Sequence, residues 1–79
     1  MTLADMKEAS RCRVTAASME NRELQSRLYA LGLYPGVEVA ILRFAPAGDP
    51  MQIRVGSTLL SIRKHDARFV CVEELVPHG

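Results

Sequence analysis

The chain has 79 residues, ten basic and nine acidic side chains for a net charge of +1, and 48% apolar residues. That length gives one domain burying roughly 60–65% of its unfolded surface; the apolar share argues against disorder, and the charge balance gives no concentrated basic face for non-specific nucleic-acid binding. Two cysteines, Cys12 and Cys71, are too few for a disulfide scaffold, and no apolar run approaches the roughly 20 residues a bilayer span needs.

Leu3 to Glu8 reads as one helical turn with Leu3 and Met6 inward. Residues 11–17 alternate, with Cys12, Val14 and Ala16 on one side and Arg11, Arg13 and Thr15 on the other, as a half-buried strand does. Ser18 or Asn21 can then cap a helix from about Glu20 to Leu31, with Leu24, Leu28 and Leu31 as its apolar stripe. Gly32 follows as the C-terminal cap, and Pro35-Gly36 sets a turn. Val37 to Phe44 restarts with period two as the second strand.

The loop Ala45-Pro46-Ala47-Gly48-Asp49-Pro50 is a dense run of turn formers. Met51, Ile53 and Val55 mark a third strand, Gly56-Ser57 a two-residue hairpin turn, and Leu60 with Ile62 the inner side of a fourth strand. Arg63 to Arg68 is short and polar, one turn of helix. Phe69 to Leu75 closes the domain as a fifth strand with Val70 and Val72 inside, and Val76 to Gly79 is a frayed tail. Five short strands with one helix between the first and second are most economically a small, strongly bent SH3-like barrel, residues 1–79 with a core of about 3–75, in which closure removes exposed edges. Cys12 and Cys71 fall on strands that can be neighbours, which makes a disulfide conceivable, but nothing marks the chain as secreted.

Catalytic chemistry is hard to find. The glycines at 32, 36, 48 and 56 lie at turns, not in a phosphate cradle, and neither His65 nor His78 has an orienting partner. The chain reads as a non-enzyme without a cofactor. The potential metal ligands are His65, Asp66, Cys71, Glu73, Glu74 and His78, with Cys71 and Glu73 on one strand face, but paired Cys-x-x-Cys or helix-spaced histidines are missing. Arg63, Lys64 and Arg68 cluster, with Arg11 and Arg13 as neighbours to consider, yet the aromatics Tyr29, Tyr34, Phe44 and Phe69 are not interleaved with them as a nucleic-acid stacking surface requires. That leaves a protein-interaction module. Its candidate surface is Leu33 and Tyr34 between helix and turn, one of which is exposed there unless both pack over the barrel mouth, with the loop residues Gly48, Asp49 and Pro50 and the basic pair Arg63 and Lys64.

Three segments, taken in order, carry a resemblance. Leu31-Gly32-x-x-Pro35-Gly36, Ala45-Pro46-x-Gly48-Asp49-Pro50, and Arg63-Lys64-x-Asp66 with Val72-Glu73 resemble the FeoA family, small proteins of bacterial ferrous iron uptake. The resemblance covers about Leu3 to Leu75. Ser10 departs from a glycine found in many relatives, and Cys71 stands where relatives often have a polar or charged residue. Similar domains end metal-dependent repressors after a DNA-binding helix-turn-helix, for which this sequence has no room. The resemblance implies a small cytoplasmic SH3-like accessory protein, brought to the inner face of the membrane through its partner, that binds and supports or regulates FeoB, a transporter with a cytoplasmic GTP-binding region. The rival expectation is a regulator that binds ferrous iron itself; a nucleic-acid-binding barrel comes third. Strand edges also permit weak self-association.

Overall fold

The computed structural model describes residues 1–76. Its strands are β1 (Arg11–Ala17), β2 (Glu38–Phe44), β3 (Met51–Val55), β4 (Thr58–Ile62) and β5 (Val70–Glu74), with helix α1 (Arg22–Ala30) between β1 and β2 and helix α2 (Lys64–Ala67) between β4 and β5. All pairings are antiparallel, in the order β4-β3-β2-β1-β5. A short 3-10 turn, Leu3–Asp5, precedes β1. His78 and the end of the tail lie outside the described residues.

One core runs through the sheet. Cys12 and Val14, Val39 and Ile41, Met51 and Ile53, Ile62, and Val70 and Val72 point into it from all five strands, joined by Leu3, Met6 and Ala67 from the turn and from α2. Each fully buried Leu, Ile or Val contributes roughly 1.5–3 kcal/mol of transfer free energy. Sheet curvature lets one inner face enclose the whole set. The barrel closes by this packing, since the sheet ladder does not join β4 to β5. The outer edge of β5 is partly covered: Thr2 bridges Cys71, and the Val72 N–H donates to the Met1 carbonyl at 3.0 Å.

The alternation of β1 breaks once. A bulge between Val14 and Ala16 shifts its register against β5, so Ala17 is buried and Ala16 is only partly so. An extra residue in one strand moves all later side chains to the other face, which corrects the inward reading of Ala16. The same register sets Cys12 opposite Glu74 and Cys71 opposite Ala16. Cys12 is buried, Cys71 is exposed, and both are free thiols. β1 and β5 are neighbours, but the two cysteines are not.

The α1 termini explain a second correction. Asn21 caps the helix, its Oδ1 accepting the Leu24 N–H at 3.1 Å. At the other end Gly32 takes φ +95°. Its N–H donates to the Tyr29 carbonyl at 2.9 Å, and the Leu33 N–H donates to the Leu28 carbonyl at 2.9 Å. These are the two bonds of a Schellman motif, which commonly pairs apolar residues just outside and just inside the helix end. Here that pair is Leu33 and Leu28, both buried, while Leu31 is 45% exposed. Leu31 therefore leaves the predicted stripe and Leu33 replaces it.

Candidate functional site

The predicted surface residues fall into three places. Leu33 is fully buried and is removed from the surface set, because the Schellman turn directs it into the core. The other six lie towards the two ends of β3.

At the start of β3 the 45–50 loop meets α2. The turn is closed by the Gly48 N–H donating to the Ala45 carbonyl and the Ala45 N–H donating to the Pro50 carbonyl, at 2.7 and 3.0 Å. This geometry presents Asp49 to the first residue of α2, and its Oδ1 accepts the Lys64 N–H at 3.0 Å. Arg63 occupies the N-cap position but makes no side-chain cap bond. Asp49 supplies the missing acceptor from a distant loop, doing what an N-cap side chain does. The Lys64 ammonium stands 4.9 Å from the centre of the Phe44 ring, a cation–π arrangement worth roughly 0.5–1 kcal/mol at an exposed site. Gly48, Asp49, Pro50, Arg63 and Lys64 thus form one continuous feature, with the Arg63 side chain exposed.

Tyr34 belongs to a second feature. Tyr34, Pro35, Gly36 and Val37 form a turn with Gly36 at φ +96°, closed by the Val37 N–H on the Tyr34 carbonyl at 3.2 Å. It leaves Tyr34 48% exposed, its ring edge-on to Tyr29 with centroids 6.2 Å apart. The turn and the end of α1 flank an open groove whose far wall is the β3–β4 hairpin, lined also by Arg11, Glu38, Ala40 and Arg54. Gly32 lies against that hairpin: a Cβ there would come within 3.2 Å of Val55 Cγ1. Strand alternation places Arg11 and Arg54 outward, but that they share a groove with Tyr34 depends on strand register, which alternation does not carry.

Of the alternative ligands among the described residues, Cys71 and Glu73 share the outer face of β5, but the set does not converge on one point. Glu73 is held by Arg13 at 3.4 Å, and His65 packs edge-on to Phe69 at 5.8 Å. Among the described residues, no group of three or more His, Cys, Asp and Glu side chains is placed to hold a metal ion. The basic residues are spread as well: Arg11 lines the groove, Arg13 pairs with Glu73, and Arg68 lines a separate depression beside Met19 and Phe69. Burial pushes the Cys12 thiol up to about 11, with the Glu74 charge adding to the effect. No helix among the described residues is long and apolar enough to cross a membrane.

A five-stranded antiparallel sheet curled around one core, with a single main helix inserted after β1, defines a small SH3-like β-domain. The FeoA domain family model matches residues 1–74. Among similar solved structures, the FeoA protein of Chlorobium tepidum is 34% identical, with 100% of this chain and 74% of that one covered and a TM-score of 0.84. A FeoA-like protein from Clostridium acetobutylicum is 29% identical over 100% of this chain and 91% of its own, with a TM-score of 0.90. FeoA of Stenotrophomonas maltophilia, solved with zinc and described as a prokaryotic SH3 domain protein and candidate ferrous iron transport activating factor, is 29% identical over 92% and 89%, with a TM-score of 0.80. The chain belongs to the FeoA family.

Proposed function

We propose that this domain binds the cytoplasmic GTP-binding region of a FeoB-type membrane transporter and promotes ferrous iron import, without catalysing a reaction itself. The observation that carries the reading is the family match over residues 1–74, together with the activating role suggested for the Stenotrophomonas relative. The domain then works at the inner face of the membrane, held there by its partner.

The proposed contact surface is Tyr34 with Gly48, Asp49, Pro50, Arg63 and Lys64. Tyr34 lies by the last residues of β3 and the loop precedes the first, so the two parts are separated by roughly the length of a five-residue strand, about 15 Å. A partner touching both must present a broad folded surface, on the scale of the roughly 800 Å² per side of ordinary interfaces. A direct iron-sensing role has less support, because among the described residues no three His, Cys, Asp and Glu side chains are grouped to hold a metal ion.

Deleting the protein tests the function. Ferrous iron uptake should fall while the transporter stays in the membrane at its normal level; unchanged uptake would contradict the reading. The surface is tested separately with Tyr34→Ala and Arg63→Ala, each checked for folding. Both variants binding the transporter normally would rule that surface out.

A further inference from the structure

The exposed face of the sheet carries a row fixed by register: Arg11 of β1 lies opposite Ala40 of β2, and Ala40 lies opposite Arg54 of β3. Residues paired in this way share a face, so two guanidinium groups rise on either side of a single methyl group, from backbones about 9–10 Å apart. Among the described residues neither has a carboxylate within ion-pair distance, and the one ion pair there joins Arg13 to Glu73. Both arginines line the same groove as Tyr29 and Tyr34, and both rings are partly exposed there. The groove's own acid, Glu38, sits opposite Arg13 in the neighbouring row, although the Arg13 guanidinium itself is paired with Glu73.

From this arrangement we infer that the groove takes an acidic segment of a partner polypeptide, with carboxylates on Arg11 and Arg54 and an apolar side chain against Tyr34 and Tyr29. The guanidinium fork matches a carboxylate with two parallel N–H donors. The small Ala40 between the arginines leaves room for the segment's backbone. A nucleic-acid strand fits less well: it needs a run of cations along its phosphates, and this groove offers two, with Glu38 beside them. The inference shares Tyr34 with the surface proposed above but does not depend on the transporter being the partner.

The test is a titration of the ¹⁵N-labelled protein followed by amide NMR. The probes are a glutamate-rich peptide carrying one leucine, its glutamine counterpart, and oligothymidylate. The glutamate peptide should move the signals of Arg11, Ala40, Arg54 and Tyr34, and the other two probes should leave them in place. Arg11→Gln and Arg54→Gln should each weaken binding on the order of threefold, and together about tenfold, while the exposed helix variant Arg22→Gln binds as the parent does. Absence of movement in the groove, equal binding of the glutamine peptide, an equal or stronger response to oligothymidylate, or full affinity in the double variant would each overturn the inference. Failure of the domain to bind the transporter would leave this result untouched, so the two readings fail separately.

Discussion

Asp49 caps a helix that begins fifteen residues after it: its carboxylate accepts the Lys64 backbone N–H at 3.0 Å. The bond joins the 45–50 loop to α2 and holds the proposed contact residues in one place. Asp49→Ala should remove the acceptor and destabilise the domain by about 1 kcal/mol, lowering Tm by about 4–8 °C in a domain of this size. Asp49→Asn keeps an acceptor oxygen and should recover most of that loss. Thermal melts of both variants beside the parent check it; an alanine variant that melts with the parent would mean that the bond contributes nothing.

Leu31 and Leu33 should behave oppositely. Leu33 is fully buried beneath the end of α1, whereas Leu31 is 45% exposed. Leu33→Ala should lose about 2–5 kcal/mol through transfer and cavity effects, and Leu31→Ala should stay within about 0.5 kcal/mol of the parent. Urea unfolding of the pair measures the difference directly.

Gly32 combines φ +95° with the close approach of Val55. Gly32→Ala places a Cβ in a backbone region L-residues avoid, against a core side chain, and should destabilise by more than about 1 kcal/mol. The same substitution at Gly36, where φ is +96° but the space is open, should be the milder of the two. Denaturant midpoints of the two variants compare them.

The cysteines should separate by reactivity. Cys71 is exposed, while Cys12 is buried with its thiol pushed up to about 11. Near pH 8 an alkylating reagent should modify Cys71 in the folded protein and reach Cys12 only after unfolding, as peptide mass mapping would show. A raised folded-state pKa means that the folded protein holds this proton more tightly than the unfolded chain. That contribution to stability is complete below the ordinary thiol range and is lost as the pH rises through it towards about 11. Cys12→Ser should flatten that alkaline decline.

Local signals made much of the fold legible. Gly32 and Pro35-Gly36 carry their backbone requirements in their chemistry, and the alternation of Met51, Ile53 and Val55 matches their burial. Two misreadings have a common origin, because periodicity does not reveal where a period is interrupted. The Schellman turn exchanges Leu31 for Leu33, and the β1 bulge exchanges Ala16 for Ala17. The Asp49–Lys64 bond and the Arg11–Ala40–Arg54 row depend on pairings between distant segments, which neither spacing nor composition encodes.

The most direct test of the central claim is a pull-down of the purified domain against detergent-solubilised FeoB, with and without GTP. The account predicts that the domain is retained in at least one nucleotide state and that Tyr34→Ala or Arg63→Ala weakens retention. If a folded domain is not retained in either state, the transporter is not its partner; anaerobic calorimetry with ferrous iron would then decide whether the protein binds the metal itself.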